Sequence, residues 1–153
     1  AEQDAATGRY APGPAALALG LAALGQVDAA RAAAPVLARL CEATGATCLL
    51  ALPPAHAPVV VAMEVPPGAV AVLPAHSASG RALAGEAPAL LRGAVLPGVD
   101  ALAAPIRDHG GRIVAALTAM GPSGALEGAL AAVQAAAAEA SRGLGYARSS
   151  TET

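Results

Sequence analysis

Few side chains in this sequence could take part in covalent or proton-transfer chemistry. They are the thiols Cys41 and Cys48, the adjacent pair His76-Ser77, His56, His109, and the carboxylates Glu64, Glu86 and Asp108. A nucleophile works only with a base in hydrogen-bond reach, and adjacency along the chain does not supply that geometry. No Gly-x-Ser-x-Gly elbow and no His-Glu-x-x-His pair occurs. The three histidines fall in loops or turns, where a solvated imidazole is the ordinary case. Asp108 is read as shaping its turn, and Glu64 and Glu86 form no evident acid–base pair. Cys41 is expected on a helix face and Cys48 in a strand, both as small buried hydrophobes without metal partners at suitable spacing. No catalytic residue, metal or cofactor is expected, and the chain is not read as an enzyme.

A different chemistry is written in "LAAPIRDHGGRIVAALTAMGP", residues Leu102 to Pro122. It reads as strand, tight turn, strand. A two-residue His109-Gly110 loop would pair Arg107 with Arg112, Ala103 with Ala116 and Ala101 with Thr118. Alternation then puts Leu102, Ala104, Ile106, Ile113, Ala115, Leu117 and Ala119 on a pure core face. The other face holds Ala101, Ala103, Pro105, Val114, Ala116, Thr118 and Met120. Its alanines leave it shallow, and polarity appears only at the end away from the turn, which is what a small-molecule pocket needs. The ordinary alternative is that helices pack close on the alanines. A second element, "HSASGRAL", sets Ser77, Ala78 and Ser79 at the start of a short helix running to Leu83. Its free amides and dipole suit a carboxylate; the ordinary alternative is that a serine simply caps it.

The rest of the chain must position these residues. With 153 residues it is long enough for one domain with a core. There is no Phe and no Trp, so alanine fills places that large side chains usually occupy. With only two tyrosines, all basic residues arginine and scattered, and a formal net charge of -2, the chain has neither the basic patch nor the stacking surface of a nucleic-acid binder. The apolar run Ala11 to Val27 carries two prolines and three glycines and reads as a buried or partner-packed helix rather than a membrane span. No signal-peptide pattern opens the chain, so a cytoplasmic protein is expected.

Ala1 to Gly8 reads as frayed, followed by a short extended arm. Leu17, Leu21 and Leu24 recur at helical spacing, and Gly25 is expected to end that helix, with Asp28 capping the next. The second helix runs Val27 to Thr44 with Pro35 as a kink or restart, and Gly45 stops it. Strands follow at Thr47 to Leu52, Val59 to Val65 and Ala69 to Leu73, with Pro66-Pro67-Gly68 as a turn. Pro88 to Gly98 reads as irregular, and Ser123 to Leu144 as a final Ala-rich helix. Strands in runs with helices at the ends give an α+β fold with an antiparallel sheet.

Taken together, the segments "GRYAPGPAALALG", "APVLARLCEATGATCLLAL", "LPAHSASGRALAGE", "GVDALAAPIRDHGGRIVAALTAMGP" and "ASRGLGY" resemble, in order, the C-terminal effector-binding domain of IclR-type transcriptional regulators. The resemblance implies a GAF-like antiparallel sheet flanked by helices. It divides the chain into 1–25, the tail of a DNA-binding wing and linker helix; 26–148, the effector-binding domain; and 149–153, a disordered tail. Carried over by position, the ligand site is Ser77, Ala78, Ser79, Ala101, Ala103, Thr118 and Met120. Family members often have serine at both hairpin positions, and Met120 in place of one implies a more apolar ligand. The stretch between Leu83 and Val99 is shorter than in the family and lacks its acidic pocket residue.

The partners so implied are a small organic acid as effector and a second copy in a homodimer or tetramer. DNA is contacted only through a winged helix-turn-helix that is missing from this chain, and no membrane is involved. The competing expectation is a structural dimerisation module with a vestigial pocket, using the Ala15 to Leu24 helix as its interface. If the alanine face is open it should accept a leucine at Ala78 without unfolding, at the cost of ligand binding. If the protein's own helices fill it and wall off Thr118, the scaffold reading gains.

Overall fold

The computed structural model describes residues 2–3, 10–11, 14–53, 59–69, 77–86, 88 and 90–147, with side chains described from residue 28 onward except 77 and 94–96. Strands β1 (Glu2–Gln3) and β2 (Tyr10–Ala11) form a small antiparallel pair, so part of the segment expected to fray is tied by a ladder. Helix α1 (Pro14–Thr44) is followed by β3 (Thr47–Leu52), β4 (Val59–Glu64), the short α2 (Ser77–Leu83), β5 (Leu90–Leu96), β6 (Val99–Arg107), β7 (Ile113–Pro122) and α3 (Leu130–Gly143). The main sheet has five strands in the order β4-β3-β7-β6-β5, every pairing antiparallel. The fold is α+β, as the sequence implies.

The expected break at Gly25 does not occur. One glycine costs a helix only about 1 kcal/mol relative to alanine, and α1 runs on through it and through Pro35, which lies exposed. The 25/26 division therefore falls inside a single helix. Gly45 ends it as expected, at φ +62 with its amide on the Cys41 carbonyl at 2.9 Å. The Pro66–Ala69 turn also forms, with Gly68 at φ +81. Residues 70–76, including most of the expected third strand and His76, lie outside the described residues.

Two further expectations are corrected. Pro88 to Gly98 is not irregular: Leu90–Leu96 pairs with β6 as an edge strand, its register shifting between Arg92 and Leu96. Residues 93–95 bulge out of the ladder, which resumes with Leu96 opposite Val99, and the Gly93 amide turns to the Asp100 carboxylate instead. The last helix begins at Leu130, because Gly124 and Gly128 adopt φ +89 and +87 and turn residues 123–129 instead. The core lies between the sheet and α1 with α3. Ala33, Leu37 and Leu40 of α1, Val133 and Ala137 of α3, and Leu50, Leu102, Ile106 and Leu117 of the sheet are all buried there.

Asp100 anchors one end of this frame. It is fully buried, and its carboxylate accepts from the Gly124 amide at 3.0 Å, the Ser123 hydroxyl at 2.9 Å and the Gly93 amide at 3.3 Å. The Gly124 amide above all, with the Ser123 hydroxyl, the Gly93 amide and the Arg92 charge, holds the carboxyl below the usual carboxylate range against the opposing effect of burial. A carboxyl depressed in the folded state contributes stability that is present above its unfolded value, about 3.9, and lost as pH falls through the folded value. Asp100→Asn is therefore expected to lower stability at neutral pH and to flatten the acid limb of the stability curve. Urea unfolding at neutral pH and well below pH ~4 checks this; an equal loss at both would contradict it.

Candidate functional site

The candidate site is built on the β6–β7 hairpin at the middle of the sheet. The register is Ala103 opposite Thr118, Ala101 opposite Met120 and Pro105 opposite Ala116, two residues displaced from the expected pairing. The turn is longer than two residues. The Asp108 carboxylate accepts from the Gly110 and Arg112 amides at 2.9 and 3.0 Å, and Gly111 takes φ +77. A displacement of two keeps every side chain on its face, whereas one would have reversed them all. The expected faces therefore persist except beside the bulge near Arg107. There Val114 packs with the helix-side core, and Ile113 Cδ1 would lie 3.4 Å from a Cβ placed at Gly85.

The alanine face is not hollow over most of its length. Helix α2 lies on it, and Ala78 and Ala82 are buried with Leu49, Ala51, Ala101, Ala103, Ala116 and Met120. The small side chains let a helix come close to the sheet, which gains contact density where large groups are missing. Neither Ser79 nor Ser77 precedes the helix as its cap, since α2 starts at Ser77 itself. Ser79 faces the sheet, and its hydroxyl meets that of Thr118 at 3.0 Å. Thr118 is 1% exposed and Ser79 6%. Six of the seven expected site residues thus form one cluster; the side chain of Ser77 lies outside the described residues.

The cluster opens at one end. A cavity of about 380 Å³ lies at the end of the hairpin away from the turn. It is lined by Gly45–Thr47, Gly68–Ala69, Gly98–Val99 and Met120–Pro122. No charged side chain lies among these residues. Met120 joins the two parts, belonging to the α2 cluster and to the cavity wall. Sequence reasoning found Met120 but missed Thr47, which sits opposite it across β3 and β7. The signal was there: a threonine two residues after the helix-stopping Gly45, on the same strand parity as Leu49.

Cys41 and Cys48 are buried, and burial pushes Cys41 upward and Cys48 to about 12, so neither is a ready thiolate. Among the described residues no group of three His, Cys, Asp or Glu side chains is placed to hold a metal ion. No described helix is long and apolar enough to cross a membrane.

No family model and no curated protein matches this chain. Solved structures do. The fold is similar to that of Pseudomonas aeruginosa HmgR, with TM-score 0.71 and 28% identity over 97% of this chain and 79% of that one. It is similar to a domain of a putative transcriptional regulator of the IclR family, with TM-score 0.66 and 22% identity over 76% of this chain and 96% of that one. A third likeness is to the C-terminal domain of a putative transcriptional regulator from Vibrio cholerae, with TM-score 0.60 and 18% identity over 74% of this chain and 94% of that one. In strand order, flanking helices and these likenesses, the chain has the fold of the C-terminal domain of IclR-family transcriptional regulators.

Proposed function

We propose that this chain is the effector-binding and oligomerisation domain of an IclR-type regulator. Residues 26–148 are its domain, and 1–25 are the end of a DNA-binding wing and its linker helix. DNA would be contacted through a winged helix-turn-helix outside this chain. The observation that carries the reading is the cavity of about 380 Å³ against Met120, at the end of the alanine face away from the hairpin turn. Its size is that of a small-molecule site. A ligand there touches Met120 and the segments around it, while Ala78, Ser79, Ala101, Ala103 and Thr118 belong to the packed cluster under α2 that Met120 joins. A bound molecule shifts the arrangement of paired subunits only if it prefers one arrangement over the other.

The sealed Ser79–Thr118 contact favours a second reading, a structural dimerisation module whose pocket no longer works. The two are separated by thermal unfolding with benzoate, as the organic-acid probe, and with benzyl alcohol, its uncharged counterpart. A binding domain is stabilised by about 2.7 kcal/mol when ligand stands at one hundred times its Kd. A Tm that rises with the concentration of either probe supports the sensor. A Tm indifferent to both leaves the scaffold.

A further inference from the structure

We propose that the cavity takes an uncharged, largely apolar small molecule, anchored by one hydrogen bond to the hydroxyl of Thr47. This rests on the reading of the cavity as a binding site and narrows what binds there. Thr47 is 5% exposed and lines the cavity. It opens β3 on the parity of Leu49 and Ala51, which pack on the α2 side, while Cys48, Leu50 and Leu52 face the helices. Its hydroxyl makes no hydrogen bond among the described residues. The other buried hydroxyls among the described residues are engaged: Ser79 with Thr118, and Ser141 with the Ala137 carbonyl and the Arg107 amide. A buried polar group without a partner is uncommon and costly, so a group that lines a cavity in that state is suited to a partner from outside.

The rest of the lining decides the class of molecule. Gly45, Gly68 and Gly98 turn the chain at positive φ and contribute no side chain. Val99 and Met120 supply an apolar wall, and no described lining residue carries a positive charge to receive a carboxylate. Moving an ionised acid out of water into such a site without a cation is strongly unfavourable, whereas an alcohol or carbonyl loses only what one hydrogen bond restores.

The test measures Kd for benzyl alcohol, toluene and benzoate by ligand-observed NMR, on the whole chain and on Thr47→Val and Thr47→Ser. The expected result is that benzyl alcohol binds about two- to tenfold tighter than toluene, the size of one net hydrogen bond. Thr47→Val should erase that preference while leaving toluene unchanged, and Thr47→Ser should keep it. Benzoate should bind at least about tenfold more weakly than benzyl alcohol. If the preference survives in Thr47→Val, the hydroxyl holds nothing but water and the proposal fails. If benzoate binds as well as the alcohol, the cavity is a binding site but not for this class. If none of the three binds, both the proposal and the binding-site reading fall.

Discussion

Leu117→Ala is expected to destabilise the domain by about 2–5 kcal/mol, the range for emptying a fully enclosed leucine site. Leu117 is completely buried at the centre of β7, opposite Leu50 of β3, and faces the layer made by α1 and α3. Its neighbours on that face, Ala115 and Ala119, are too small to close over the space. Since domains of this size are stable by only about 5–15 kcal/mol, the loss is a large share of the total. Urea unfolding followed by circular dichroism measures it; a change below about 1 kcal/mol would mean that the helix-side core is not where stability resides.

Ala78→Leu is expected to destabilise by about 1–3 kcal/mol through overpacking. On sequence grounds the same change should leave the fold intact and simply occupy a pocket. The structure reverses that expectation. Ala78 is 6% exposed and enclosed with Ala101, Ala103 and Ala116, so three added carbons have no space to enter. The helix must lift, and the Ser79–Thr118 hydrogen bond with it. Amide exchange should therefore quicken in α2 and the facing residues of β6 and β7 while α1 and α3 stay protected. A variant as stable as the parent, with α2 equally protected, would show that this face has room after all.

These two substitutions mark what could and could not be read from the residues. The faces of the hairpin were legible, because strand periodicity is two and the pairing error was also two. Which face carries the core was legible too, since Leu102, Ile106 and Leu117 fall together. What covers the alanine face was not. Alanine serves equally well to leave space for a ligand and to let a helix approach, and only tertiary packing distinguishes them. Strand β5 was missed because Gly93 and Pro97 punctuate it, and the bulge that accommodates the glycine is a property of pairing with β6. Asp100 and Thr47 were passed over for a related reason. Each is a lone polar residue in an apolar strand, and its role depends on which loop the fold brings to it.

The account's central claim is that a small molecule binds in the cavity against Met120, at the end of the alanine face away from the hairpin turn. The chain has two methionines, Met63 and Met120, so a spectrum of methionine methyl groups carries two signals. Met120 lines the cavity and Met63 does not. Titration with benzyl alcohol should move the Met120 methyl in a saturable way and leave the Met63 methyl in place. A saturable shift at Met63 with Met120 unmoved, or no shift at either, would contradict it.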